Sequence, residues 1–398
     1  MKKIISGLML LFAALTLTSC IEMTSKTKLT FEKLPASVYE LKDGEMDLSQ
    51  VIINIDGNSY TLDAAKKAGA VVEGTSFDRA GYHTLLVTYN DVTITFTYLV
   101  TDGNQSLPSV YDTEWYDEGE DKFVLKNAAQ LRGLAQLVNS GEATFKDKTV
   151  ELGADIDLAG YAWTPIGEGA RKALNETTGK YEYVTKIEKT FQGTFDGKGF
   201  VIKNLNDAGY VPTAGEAYEN SSKELVYGYV YGLFGIINAD GVEIKNVKLE
   251  KVAINGAVII GKDVYFADSA AGIVGWSGSG SFAIRNCHVD GEINGYDAVA
   301  GIAGRLYSGD YVFENCVNNA DVYASRKAGG KAGGIVGIIS YVSSTHTPSI
   351  SFTSCKNNGK VTGTPYSHDL LGHWAVAKAL ITIDGVEVVH SENWGKAE

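Results

Sequence analysis

Proline is scarce, with six residues in a chain of 398, and cysteine and histidine are as rare at four and six. So little proline argues against an extended, low-complexity chain, whereas 45 glycines and 22 tyrosines favour a β-rich one. Basic charge is also short, since 35 Lys and Arg face 48 Asp and Glu. That balance excludes nucleic acid as an expected partner, because its binding needs clustered cations that displace phosphate counterions. After residue 19 no stretch is long and apolar enough to span a membrane. Familiar catalytic signatures are missing as well. The segment "AGGKAGGIVGII" (328–339) is glycine-rich, but no Ser or Thr follows Lys331 as a Walker A loop requires. Its β-branched surroundings do not provide the strand, helix and distant acid of a dinucleotide site. His368 and His373 stand five apart without the His-Glu-x-x-His spacing of a zinc peptidase, so no metal or cofactor is implied.

What is present begins with a leader. Lys2 and Lys3 precede an apolar run from Ile4 to Leu17, and the segment ends in Leu17-Thr-Ser-Cys20. This is the build of a secretory signal, too short for a spanning helix. The cysteine after a small-residue exit resembles the lipobox of bacterial lipoproteins. That resemblance implies lipid on Cys20, removal of residues 1–19 and a tether over 20–27. Ile21 rather than an aspartate follows the cysteine, which by analogy with the enterobacterial sorting rule suggests the outer membrane, with the cell surface as the expected face. Losing Lys2 and Lys3 takes the net charge from −13 to −15, which suits an exposed, soluble ectodomain. Three cysteines remain, and an odd number cannot all pair, so no disulfide framework is expected.

Residues 28–100 read as short strands and turns. Asp56-Gly57 divides "VIINIDGNSYTL" into a hairpin, because that dipeptide tolerates positive φ, and Asn90-Asp91 divides "HTLLVTYNDVTITFTYLV" in the same way. Phe77, Asp78 and Gly81 stand where the bacterial Ig-like domains of surface proteins carry their "F-D-x-x-G", and the segment resembles that group. The resemblance implies a β-sandwich acting as spacer or adhesion module. Residues 101–125 are linker and lead-in.

Next, "NAAQLRGLAQLVN" (127–139) has helical apolar spacing and an Asn127/Gln130 capping box, which predicts one amphipathic helix closing the end of a solenoid. Four related segments then begin at Tyr231, Ala271, Ala300 and Gly333. Each contains a Gly-apolar-x-Gly run with glycine pairs Gly232/Gly235, Gly272/Gly275, Gly301/Gly304 and Gly334/Gly337. A strand follows that ends in Asn246-Val247, Asn286-Cys287, Asn315-Cys316 or Ser354-Cys355. Repeats of this length predict a solenoid of stacked parallel strands. In it the glycines allow close backbone approach, Cys287, Cys316 and Cys355 replace a buried valine, and Asn246, Asn286 and Asn315 hydrogen-bond along the stack. If each copy made more than one turn, the cysteines would stand about 9–10 Å apart, beyond disulfide reach.

With Trp163-Thr-Pro-Ile-Gly167 and Gly193-Thr-Phe-Asp-Gly197, these runs resemble GLUG-type repeats from about residue 126 to 361. Such repeats occur in bacterial adhesin-like proteins and beside the peptidase domain of certain IgA-cleaving metalloproteases. The expected fold is therefore all-β: an Ig-like sandwich, then a parallel β-helix over 126–398, right-handed by the resemblance. Insertions at 168–190, 207–227 and 257–270 depart from the family spacing.

No residue is expected to be catalytic. Asp155, Asp157 and Asp196 are acids in a chain rich in them, and Lys331 reads as a solvated turn residue. The specific surface feature is aromatic: Tyr227, Tyr229 and Tyr231 alternate along one strand, as do Tyr181 and Tyr183, and rings emerging on one face could stack on sugar or anchor a protein. The reading is an adhesin-like surface lipoprotein binding a glycan or extracellular protein. The alternatives are a β-helix polysaccharide lyase or glycoside hydrolase, and a non-binding structural component of the envelope.

Overall fold

The computed structural model describes residues 27–101 and 111–396, apart from 34, 36–37, 79–80, 91, 159–162, 170–171, 176–179, 184–188, 208–209, 211–216, 220–224, 261–262, 327–328 and 341–345. The leader, Cys20 and the 102–110 part of the linker lie outside the described residues.

Residues 29–101 form two small sheets around a core of their own. One joins Leu29–Lys33, Ile52–Ile55 and Asn58–Thr61; the other joins Val38–Glu40, Val92–Thr101, Gly81–Tyr89 and Val71–Glu73. The first turns at Asp56 (φ 51) and Gly57 (φ 92), both left-handed as a tight hairpin needs. A helix, Leu62–Lys67, interrupts what reads as strands only. Six residues are too few to show a helical period, yet the Thr61 hydroxyl accepts from Ala64 N at 3.3 Å, and Leu62 and Ala65 bury the inner face.

From residue 122 onward the chain coils, and successive turns pair in parallel. From Leu225 to Thr362 each turn contributes to four sheets, numbered here in the order the chain visits them. Sheet 1 holds Phe234–Ile236, Val274–Ser277, Ala303–Leu306, Val336–Ile339 and Leu371–Trp374. Sheet 2 is the longest and runs from Lys122–Leu125 through Thr149–Leu152, Thr194–Asp196, Val242–Lys245, Phe282–Arg285, Asp310–Glu314 and Ser349–Thr353 to Leu380–Ile383. Sheet 3 includes Val201–Lys203, Lys248–Ile254 and His288–Gly295. Sheet 4 holds Leu225–Tyr231, Asp263–Ala271, Ala298–Ala300, Gly330–Gly333 and Pro365–His368. The molecule is thus mostly β, with parallel sheets in a solenoid arrangement. Each repeat makes one turn, so equivalent residues are immediate neighbours about 4.8 Å apart, not two spacings. A fifth copy, Leu371–Trp374, continues sheet 1; it lacks the first glycine, whose place Asp369 takes.

The glycine columns mark where backbones nearly touch. A Cβ at Gly304 would stand 2.6 Å from Gly275 O and 2.4 Å from Ser269 Oγ, and one at Gly337 2.4 Å from Gly304 O and 3.1 Å from Val299 N. Sheet 1 therefore lies against the backbone of sheet 4, and no side chain fits between them. The first glycines have different neighbours: a Cβ on Gly272 would strike Val289, and one on Gly301 would strike Asn318.

Between sheets 2 and 3 the chain turns at Asn246, Asn286, Asn315 and Ser354, with φ of 54, 54, 51 and 51°. Asparagine tolerates this left-handed region better than most residues. Its amide also links turns: Asn315 Nδ2 donates to Asn286 Oδ1 at 3.1 Å, Asn286 Nδ2 to Asn246 Oδ1 at 3.2 Å, and Asn246 Nδ2 to Asp196 Oδ1 at 2.9 Å. Just inside this corner, Val247, Cys287, Cys316 and Cys355 succeed one another in register.

At the start of the coil, helix Ala128–Ser140 lays Leu131, Leu134, Leu137 and Val138 on the core. Asn127 Oδ1 accepts from Gln130 N at 2.9 Å, and Gly141 (φ 82) ends the helix. At the far end Val386–Glu387 folds back antiparallel on Leu380–Ile383, and Trp394 donates to Leu371 O at 2.7 Å.

Gly337→Ala is expected to cost about 1–3 kcal/mol, the usual range for overpacking, because the atom it meets is backbone and cannot rotate away. Denaturant unfolding of the two proteins checks this, and unchanged stability would mean that sheets 1 and 4 are not in contact there.

Candidate functional site

Opposite the apolar interior, sheets 1 and 4 carry a second set of buried side chains. Along sheet 1, Ile236, Trp276, Arg305, Ile338 and His373 are register partners and form one column. Along sheet 4, Val230, Ser269, Ala298, Lys331 and Tyr366 form another. The columns meet in a buried seam: Val230 packs with Ile236 and Trp276 apart from the main core, and the rings of Tyr366 and His373 lie 3.7 Å apart.

Midway along the seam the side chains become charged. Asp268 and Asp297 occupy equivalent positions in adjacent turns, Asp297 N donating to Asp268 O at 3.2 Å. Both are almost wholly buried, as is Arg305. Asp297 receives the Arg305 Nη2 group, Arg326 Nη1 at 2.7 Å and Lys331 Nζ at 2.7 Å; Arg305 Nε lies 3.9 Å from Asp268 Oδ2. Burial alone would raise the Asp297 pKa, but Arg305, Lys331 and Arg326 outweigh it and hold the carboxyl well below the usual carboxylate range. Lys331 is drawn below its ordinary value by burial, against the pull of Asp297. Desolvation makes buried ion pairs weak sources of net stability, so an apolar filling would serve folding as well. Arg326 and Lys331 are the more accessible members, with side chains 31% and 12% exposed. Hydrogen-bonding capacity is left over: among the described residues, Arg305 Nε, Arg326 Nε and His373 Nδ1 are buried without a hydrogen-bond partner.

Lys331 is therefore not a solvated turn residue. It lies in a strand beside Ala298 and Tyr366, and Asp297 draws its ammonium inward. The tyrosine reading also changes. Tyr229 and Tyr231 are fully buried, not presented outward. Tyr231 donates to Trp163 O at 2.8 Å and Asn206 O at 2.6 Å, and Tyr210 packs edge-on against it. Alternation was read as one exposed face, but insertion 207–227 supplies Tyr210 as a cover for the strand. Tyr227 lies in that strand, and Tyr181 and Tyr183 in the hairpin Lys172–Asn175/Lys180–Tyr183; their side chains lie outside the described residues.

The three insertions converge at sheet 4 beside the seam. Ala217–Glu219 folds antiparallel on Leu225–Tyr231, and Ala257–Ile260 does so on Asp263–Ala271. The two long strands pair in parallel, giving a four-stranded extension of sheet 4. Insertion 168–190 joins it where Val230 N donates to Gly169 O at 3.4 Å. Part of the 257–270 insertion belongs to the regular turn, since Ser269 and Ala270 pair with Ala298 and Val299.

The ionic cluster was missed from sequence, although one signal was available. Asp268 and Asp297 each stand four residues before the first glycine of a repeat, in "DSAAGIVG" and "DAVAGIAG", so a charge recurs at a fixed offset within an apolar run. Arg326 and Lys331 join them only through the next turn. Among the described residues no group of three or more His, Cys, Asp or Glu is placed to hold a metal.

No family model matches the chain, and no curated protein does. Among solved structures, the chain is similar to a Bacteroides ovatus protein named a "putative immunoglobulin A1 protease", at 18% identity and a TM-score of 0.40, over 69% of this chain and 81% of that one.

Two outcomes follow. Burial, helped by Lys331 and Lys396 and opposed by Asp297 and a backbone bond with Trp394, pushes His373 down to about 4, against about 6.5 in an unfolded chain. The unfolded chain then binds the extra proton between these values, so stability falls as pH drops from about 6.5 to about 4. His373→Gln should flatten that part of the profile, measured by thermal unfolding across the range. Cys287 is fully buried with its thiol pushed up to about 12 by burial, while Cys355 is partly exposed. Maleimide labelling of the folded chain, read by mass spectrometry, should modify Cys355 first and spare Cys287; the reverse order would refute the stacking.

Proposed function

We propose that this chain is a lipid-anchored surface protein of the outer membrane, adhesin-like in role. An Ig-like spacer (28–100) would carry a right-handed β-helix (126–398) that binds a glycan or extracellular protein. The observation that carries the reading is the convergence of three insertions on one side of the coil, because inserted loops of repeat proteins gather on the face that binds. The leader ending in Cys20 supports the anchor. Tyr229 and Tyr231 drop out as ligand contacts, and the contact region becomes the extension of sheet 4, which includes Tyr227, with the hairpin of Tyr181 and Tyr183 beside it.

One observation favours a carbohydrate-cleaving enzyme as the second reading: Asp268 and Asp297 stack in adjacent turns beside Arg and Lys, the outer-face cluster such an enzyme would need. Against it, three cations keep Asp297 ionised, the opposite of the raised pKa that a general acid requires.

The test uses the full chain displayed on a Gram-negative host, with attachment measured on arrays of glycans and matrix proteins. Wild type should bind at least one array member above the parent strain. Replacing 176–179 and 220–224 by Gly-Ser loops should reduce that binding, and Cys20→Ser should release the protein from the cell. A blank array would overturn the proposal.

A further inference from the structure

One turn per repeat brings the stacked cysteines within reach of one another. Glu314 and Thr353 are register partners, as are Val317 and Lys356, so Cys316 and Cys355 occupy the same place in adjacent turns. In-register neighbours stand about 4.8 Å apart at Cα, inside the range of about 4.4–6.8 Å that a disulfide spans. Both cysteines are free thiols. Their sulfurs also approach: Cys355 Sγ leans toward the turn of Cys316, 3.3 Å from Phe313 O, and the two thiols hydrogen-bond each other. Cys287 and Cys316 are register neighbours too, but both are fully buried.

This column is open at one end for a structural reason. After Leu380–Ile383 the chain reverses through Asp384 and Gly385, both at positive φ, and pairs Ile383 with Val386. Among the described residues, no strand of sheet 3 therefore follows Lys356–Asn357 in the stack. Cys355 is left partly exposed, while Cys316 in the adjacent turn is buried. Contact with Cys316 lowers the Cys355 pKa against the effect of its own partial burial. The same contact, together with burial, holds the Cys316 thiol well above its ordinary value. An accessible thiol that ionises readily thus stands beside a buried one that keeps its proton, the division between an attacking and a resolving cysteine.

We propose that Cys316 and Cys355 are a thiol–disulfide exchange pair, which reacts with a small-molecule disulfide and closes a cross-link between adjacent turns at the open end of the coil. The Cys355 thiolate, its proton given to water, attacks one sulfur of the incoming disulfide; a mixed disulfide forms and one small thiolate leaves. Cys316 then gives up its proton, and its sulfur attacks Cys355 Sγ. The bond from Cys355 to the second small thiolate breaks, and that thiolate leaves in turn. Two protein thiols are oxidised and one disulfide is reduced to two thiols, which take up the two protons. Cys287 is spared, fully buried and with its thiol pushed up to about 12 by burial. The odd count of three cysteines beyond Cys20 thus resolves into a pair and a buried single thiol. Closure requires no glycan or protein ligand and so stands apart from the adhesin reading.

The test treats the folded, reduced full chain with oxidised glutathione and maps the products by mass spectrometry. Cleavage after Lys and Arg puts the four cysteines on separate peptides. Glutathione should appear first on Cys355 and give way to a link between peptides 306–326 and 332–356. In Cys316→Val, which installs the residue that Val247 supplies two turns earlier, glutathione should persist on Cys355 at about tenfold or more its wild-type level. Cys355→Ser should leave Cys316 unmodified, and Cys287→Val should form the link as wild type does. Thermal unfolding of every variant identifies loss of fold; if Cys316→Val is unfolded, the order of products in wild type decides. A link between Cys287 and Cys316, glutathione on Cys316 in folded Cys355→Ser, or glutathione that stays on wild-type Cys355 without closure would overturn the pair. A link that forms only in denaturant would overturn it as well. None of these results bears on attachment to arrays, so this pair and the adhesin reading stand or fall separately.

Discussion

Parallel stacking imposes the condition on which the rest of this molecule depends: the backbone groups at the edge of each turn are satisfied only by the next turn. No coil is stable alone, so the corners must repeat without accumulating error. Left-handed residues at Asn246, Asn286, Asn315 and Ser354 turn the chain at the same place each time, and the amide contacts among the asparagines hold neighbouring corners in line. The same condition makes the ends special. A helix packs on the core of the first turns, and an antiparallel fold-back follows the last strand of the longest sheet, which therefore does not end on a parallel edge there.

Within that framework the glycines and the ionic cluster are related. The glycines of sheet 1 let it lie against the backbone of sheet 4. The residues before these glycines, Phe234, Val274 and Ala303, belong to the main core, whereas those that follow, Ile236 and Trp276, lie in a narrow space outside it. Apolar groups fill one part of it, Val230, Ile236 and Trp276, and charged groups fill the next. Burial of Asp297 strengthens each of its contacts but imposes a desolvation cost on every ion placed there, so the network adds definition to the seam more than net stability.

Much of the coil was legible because its cause is periodic. Four glycine runs, the asparagines beside the cysteines and the Asp56-Gly57 turn each express a local backbone need, and such needs are visible in a single chain. The ionic cluster was not, because its members come from different turns. Arg305 and Asp297 are close in sequence, but Arg326 and Lys331 reach them only when the next turn is laid down. Tyr229 and Tyr231 misled for the same reason: alternation tells which residues share a face, not whether an insertion such as the one carrying Tyr210 will cover it. Helix Leu62–Lys67 was too short to show a period and was betrayed only by its Thr61 cap.

The second glycines Gly235, Gly275, Gly304 and Gly337 are 40, 29 and 33 residues apart, yet each step advances the coil by one strand spacing. Axial distance is thus counted in turns, and residue number is spent sideways. Such a chain works like a ruler whose marks keep their interval however long the labels become. Lengthening a loop changes what is presented at a given height without moving anything above or below it, so lateral reach and vertical position can be varied independently of each other.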